Sequence, residues 1–321
     1  MTFVEKSCVV FDYGSYETKF GHGGSDLPSF VTNSQMYEDN GHDSLRLFKA
    51  SASAQLKQDN FDSLLEQGYK YLGLDKSEHS LMIPDAPDEV NNRADLMERL
   101  FEIVPNLYFC CRPVLSTFQS AKTNALVVDI GHEKTSVCAV HEGYHIKKSY
   151  MSSPIAGKAL SEYCLDSLKR DYNYEPYPSL LVEKKPILEP GKCPNPEDRL
   201  HININDKVKH QLQMETIHIF KEHVFSANLY NPNIPLAGRP FEFPDGFNMS
   251  FTREQYVPEM LFNGSPVYPD ATPLIKMIQT SYDSCDNECK THLPGNIVLT
   301  GGTSSIPGVA ERLEVISIYL V

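Results

Sequence analysis

Two segments of the chain place a carboxylate and a glycine at the end of an apolar run: VVFDYGSY at residues 9–16 and LVVDIGHEKT at residues 126–135. Each reads as a buried strand entering a tight turn that exposes an Asp. Because the pattern occurs in both halves, it predicts two facing hairpins with Asp12 and Asp129 at their mouths. Gly14 and Gly131 would let backbone amides approach a shared ligand. The chemistry suited to such a cleft is a phosphate held with a divalent cation. A third turn, in NIVLTGGTSSIPGVAERL (residues 296–313), joins an apolar strand through Gly301 and Gly302 to a helix opened by Pro307 and Gly308. It again offers backbone donors at a helix start.

The intervening stretches must position these turns. The first hairpin (residues 7–21) leads into VTNSQMYEDNGHDS, a polar stretch that reads as an exposed excursion. In FDSLLEQGYKYL (residues 61–72), Phe61, Leu64, Leu65 and Leu72 share a helical face despite Gly68. Asn92 is placed to cap a helix whose stripe is Leu96, Met97, Leu100, Phe101 and Val104, ended by Pro105. After the second hairpin, Ile155-Ala156-Gly157 opens a helix with Leu160, Cys164 and Leu168 inward. Each hairpin therefore belongs to an α/β unit. Residues 171–210 are Pro-rich, charged and without period, which predicts a long surface insertion. Helical patterning returns over Met214–Val224, and Pro244-Asp245-Gly246 marks a turn between two β-like runs.

Composition narrows the function classes. At 321 residues, 41% hydrophobic and 22% charged, the chain has material for about two domains. The opening MTFVEKSCVV is too short an apolar stretch for a signal peptide, and no run approaches the ~20 apolar residues of a membrane span. Secretion and membrane insertion are not expected, so the sequons at Asn248 and Asn263 read as fortuitous. Eight cysteines without regular spacing read as reduced thiols, and Cys285 with Cys289 lacks the second ligand pair that zinc needs. A net charge of −13 argues against strong direct nucleic-acid binding. A basic protein segment is the better partner, unless the charge serves only solubility.

The three glycine turns, in this order, resemble the phosphate-one, phosphate-two and adenosine motifs of the actin / sugar kinase / Hsp70 ATPase fold. Between them, LMIPDAPDEVNNRADLMERLFE, CRPVLSTFQSAKTNALVVD, VHEGYHI, SPIAGKALSEY and FEFPDGF follow the order of the actin family. The resemblance covers nearly all of the chain outside residues 31–58 and 171–210. It implies an α/β fold with two similar lobes around a nucleotide cleft. Subdomain 1 would be built from residues 1–30 and 59–119, and subdomain 2 from residues 31–58. Residues 120–155 and 268–321 would form subdomain 3, and residues 156–267, carrying the insertion, subdomain 4. Actins continue past the position of Val321, so the C-terminal part of the first lobe is expected to be missing. The implied cofactor is ATP or ADP with Mg2+ or Ca2+. Its implied contacts are Asp12, Gly14, Ser15, Tyr16 and Lys19 in the first hairpin and Asp129, Gly131 and Thr135 in the second. Gly157 and Lys158 would lie at a helix start, Lys221 and Glu222 in an adenine wall, and Gly301, Gly302 and Thr303 in the adenosine loop. Asp12 and Asp129 are the implied metal ligands.

Tyr16 stands where actin has a small residue, and YEPYPSLLVEKKP with FEFPDGFN resembles nuclear actin-related subunits of chromatin-remodelling (SWI/SNF, BAF-type) and histone acetyltransferase complexes. That resemblance implies a non-filamentous interaction subunit in the nucleus. Its implied partners are actin and the basic helix of a remodelling ATPase or scaffold subunit, with histones as further partners. The alternative is a cytoplasmic, cytoskeletal actin-related ATPase that polymerises or caps filaments. The Gln that orients the attacking water in ATP-cleaving actins aligns with Arg112, an acidic residue with His132, and a hydroxyl residue with Ile130. Arginine is permanently cationic and cannot take a proton. No catalytic residue is therefore expected, and the implied activity is nucleotide binding by a pseudo-ATPase. Arg112 reads either as a phosphate clamp or as an ordinary ion-paired arginine.

Overall fold

The computed structural model describes residues 8–34, 37–39, 46–48, 54–88, 93–195, 206–227 and 237–318. Strand β1 (Val9–Tyr13) folds back onto β2 (Glu17–His22), and β3 (Phe30–Asn33) adds antiparallel to β2. A small hairpin of β4 (Tyr37–Asp39) and β5 (Arg46–Phe48) precedes helix α1 (Ala54–Leu72). Then β6 (Leu81–Asp85), α2 (Arg93–Phe101) and β7 (Leu107–Cys111) form a parallel β-α-β crossover, and α3 (Arg112–Gln119) leads out of it. The sheet order is β3-β2-β1-β6-β7. Phe11 and Phe20 of its hairpin meet Phe61, Leu65 and Tyr69 of α1 in a buried core. A Cβ at Gly68 would lie 2.6 Å from the Phe20 ring, so the glycine that interrupts the stripe is what lets α1 seat on the sheet.

The second half repeats the plan. Strands β8 (Ala125–Ile130) and β9 (Thr135–His141) make an antiparallel hairpin, followed by β10 (Tyr144–His145), β11 (Met151–Ser153) and α4 (Gly157–Tyr172). After α5 (Asp206–Val224) come the hairpin of β12 (Arg239–Glu242) and β13 (Asn248–Phe251) and the helices α6 (Glu259–Asn263), α7 (Leu274–Asp283) and α8 (Asn287–Lys290). The described elements end with β14 (Ile297–Thr300) and α9 (Val309–Ile318). β14 pairs parallel with β8 as β6 does with β1, and β11 pairs antiparallel with β9 as β3 does with β2. The unbroken apolar run of β8 is buried on both faces: Leu126, Val128 and Ile130 enter the large core, Ala125 and Val127 a smaller one with Val114, Val140 and Val298.

Several expectations need correction. Residues 31–33 of the polar excursion belong to β3, paired residue by residue with β2, and residues 37–39 to β4; Gln35, Met36 and residues 40–45 lie outside the described residues, as does Asn92. Helix α1 begins at Ala54 rather than Phe61, and Phe101 is 52% exposed while Leu100 and Val104 are buried. Within 171–210, α4 runs to Tyr172 and α5 starts at Asp206. Tyr174 and Leu181 are buried, so this part is pinned to the core rather than lying over it. The Tyr174 ring stacks on Phe247 at 3.8 Å between centroids, and its hydroxyl donates to Asp245 in the Pro244-Asp245-Gly246 turn. All eight cysteines are free, and among the described residues no helix is long and apolar enough to cross a membrane.

Candidate functional site

The two Asp-x-Gly turns have the same construction. The Gly14 N–H donates to the Glu17 carbonyl at 3.2 Å, and the Gly131 N–H to the Lys134 carbonyl at 3.0 Å. A Cβ at either position would come within 2.5 Å or 2.9 Å of that same oxygen. Glycine is required by close approach, and each turn holds its Asp two residues upstream at the strand end. Lys19 stands directly across the hairpin from Asp12, and Ser15 is exposed at the turn.

The other predicted loops converge on the second turn. Gly301, at φ 91°, lies so close that a Cβ would sit 2.3 Å from the Ile130 carbonyl oxygen and 2.5 Å from Asp129 Oδ1. The Gly131 carbonyl accepts both Thr303 Oγ1 at 2.7 Å and the Gly157 N–H at 3.1 Å. The Lys158 N–H donates to the His132 carbonyl at 2.7 Å. Lys221, buried on α5, donates from Nζ to the Gly157 carbonyl at 3.1 Å, and burial pulls its amine down to about 8. Asp129, Gly131, Gly157, Lys221, Gly301 and Thr303 thus form one connected cluster.

Some expected cofactor contacts are engaged elsewhere. The buried Thr135 hydroxyl donates to the Ile155 carbonyl at 2.7 Å, and the Thr303 hydroxyl and Lys221 amine serve backbone carbonyls as described. Glu222 is exposed and pairs with His218 at 3.5 Å; Lys158 pairs with Glu133 at 3.5 Å. Gly302 faces open space.

Arg112 opens α3 and enters the mouth of the first hairpin. Its Nη2 donates to the Tyr13 carbonyl at 3.2 Å, and its Nη1 lies 3.0 Å from Asp12 Oδ1 as an ion pair off the line of a hydrogen bond. Burial raises the pKa of Asp129, and the Arg112 charge opposes that while Asp12 adds to it, so one guanidinium acts on both carboxylates. As arranged, these residues do not fit a divalent ion. An ion between Asp12 and Asp129 would meet a permanent cation already paired with Asp12. Among the described residues no group of three His, Cys, Asp or Glu side chains is placed to hold a metal. Arg112 is thus ion-paired with Asp12 in this geometry.

Tyr16 reaches from the first hairpin to the second half of the molecule. Its ring centroid is 5.0 Å from that of His132 and 4.4 Å from that of His218. Burial, with Lys221, His218 and Lys158 nearby, holds His132 down to about 3, so the imidazole is neutral. Burial and the surrounding glutamates push the Tyr16 phenol up to about 12. Further links between the halves are Asn33 to Glu215 at 3.2 Å, and Lys134 and Tyr150 to Asp88, each at 2.9 Å. His218 and Asp88 escaped the sequence reading; the available signal for His218 was its position one helical turn before Lys221 and Glu222.

Two sheets of one plan, each with an Asp-x-Gly hairpin, and a third glycine turn joined to the second hairpin define the actin / sugar kinase / Hsp70 ATPase class of α/β fold. The chain belongs to the actin family, whose sequence profile, described as Actin, matches residues 4–316. It is 28% identical to Actin-related protein 4 of Schizosaccharomyces pombe, over 97% of this chain and 83% of that protein. It is 25% identical to Actin-related protein 4 of Arabidopsis thaliana, over 97% of this chain and 84% of the relative. A second Schizosaccharomyces pombe protein, the SWI/SNF and RSC complexes subunit arp42, is 29% identical over 95% of this chain and 83% of its own length.

Proposed function

We propose that this chain is a non-filamentous, nuclear actin-related subunit of a chromatin-remodelling or histone acetyltransferase complex, whose cleft binds ATP or ADP with little or no hydrolysis. The ion pair of Arg112 with Asp12 carries the hydrolytic part of the reading. The residue that aligns with the water-orienting Gln of ATP-cleaving actins is here a guanidinium that cannot take a proton, and it is held by the carboxylate of the first turn. His132, aligned with an acidic residue, is a half-buried neutral imidazole and supplies no negative charge. Similarity to a relative named as a SWI/SNF and RSC complexes subunit supports the assembly part. Partners of matching chemistry are actin and a basic helix of a remodelling ATPase or scaffold, with histones beyond them; the net charge of −13 favours basic partners. Affinity purification from nuclear extract with mass spectrometry tests the reading. Remodeller or acetyltransferase subunits are expected, and recovery of cytoskeletal capping or branching assemblies would overturn it. Sedimentation in polymerising salt should leave the protein in the supernatant.

A further inference from the structure

We propose that Arg112 is the resident cation of the cleft: its guanidinium takes the place of a divalent metal beside Asp12 and Asp129, so that a nucleoside polyphosphate is held here without a divalent ion. The inference rests on the nucleotide-binding reading above, but its core concerns the two carboxylates alone.

Three observations carry it. The guanidinium is pinned from two sides, by Asp12 Oδ1 at 3.0 Å and by the Tyr13 carbonyl at 3.2 Å, so its position follows from the backbone of the first turn. Its charge also acts on Asp129, against the larger effect of burial there. The Arg112 side chain is 30% exposed, so the group is not sealed off from the cleft. Of its five N–H donors, one is committed to Tyr13, and the planar fork suits phosphate oxygens. Lys19, opposite Asp12 in register, stands on the same face. A divalent ion would have to displace Arg112 from Asp12 and leave an unpaired guanidinium in a partly buried place, which the fold resists. Asp12 Oδ1 already faces the arginine.

The test is Mn2+ binding followed by electron paramagnetic resonance in the wild-type protein, Asp12→Asn and Arg112→Gln, together with titration of a fluorescent ATP analogue in excess Mg2+ and in EDTA. The wild type should show no Mn2+ site that depends on Asp12, Arg112→Gln should gain one, and analogue affinity in Mg2+ and EDTA should agree within about twofold. An Mn2+ site in the wild type that is lost in Asp12→Asn, or analogue binding abolished by EDTA, would overturn the proposal. Should the analogue bind in neither condition, the nucleotide reading fails while the wild-type Mn2+ result still decides the claim about Arg112. If Arg112→Gln does not fold, the wild type and Asp12→Asn suffice for that decision.

Discussion

Thr303 and Gly131, 172 residues apart, are joined by a 2.7 Å hydrogen bond from the threonine hydroxyl to the glycine carbonyl, which ties the third glycine turn to the second. The same carbonyl accepts the Gly157 N–H, so the start of α4 depends on the same point. Thr303→Val keeps the shape and removes the donor. It should cost about 1–2 kcal/mol in a denaturant titration, whereas Thr303→Ser should cost less than half of that. A larger loss in Thr303→Ser than in Thr303→Val would assign the role of Thr303 to its methyl group.

Gly68 offers a test in which two physical effects have opposite signs. Helix propensity alone favours Ala there by about 1 kcal/mol. A Cβ 2.6 Å from the Phe20 ring, which is itself fully buried, predicts overpacking worth about 1–3 kcal/mol against it. Gly68→Ala should therefore lower the denaturation midpoint. A raised midpoint would mean that α1 does not sit against Phe20 as described.

The Tyr16, His132 and His218 contact makes the fold sensitive to acid. His132 is held down to about 3 when folded, against an ordinary value of 6.5, by burial and by the positive charge of Lys221, His218 and Lys158. Above pH 6.5 the imidazole is neutral in both states and its contribution is complete. As pH falls from 6.5 towards 3, the unfolded chain takes up the proton and the folded one does not, so stability is lost at about 1.4 kcal/mol per pH unit. His218, also lowered by burial, acts in the same direction. His132→Phe should flatten the pH dependence of chemical denaturation in this window. An unchanged slope would place the acid sensitivity elsewhere.

Local patterns were legible in the chain and long-range pairings were not. The Asp-x-Gly turns, the α4 stripe of Leu160, Cys164 and Leu168, and the Pro244-Asp245-Gly246 turn each complete themselves within a few residues, where spacing dictates the outcome. Tyr174 was hidden because an aromatic in a Pro-rich, aperiodic stretch carries no period; only its stacking on Phe247 shows that it is core. Gly68 read as a flaw in a helix because the ring it accommodates lies on another element. The site divided in the same way. Alignment located Arg112, but its pairing with Asp12 closes 100 positions of chain and follows from the start of α3 meeting the end of β1. The hydroxyls of Thr135 and Thr303 are hydrogen-bond donors by type, and that they serve Ile155 and Gly131 rather than a ligand is decided by tertiary packing.

The central claim, that this cleft keeps its nucleotide intact because Arg112 stands at the mouth of the first hairpin, is tested most directly by single-turnover cleavage of radiolabelled ATP with protein in excess. No phosphate release above the protein-free control is expected over the time in which filament-forming actin completes its turnover. Cleavage at a rate comparable with that actin would contradict it.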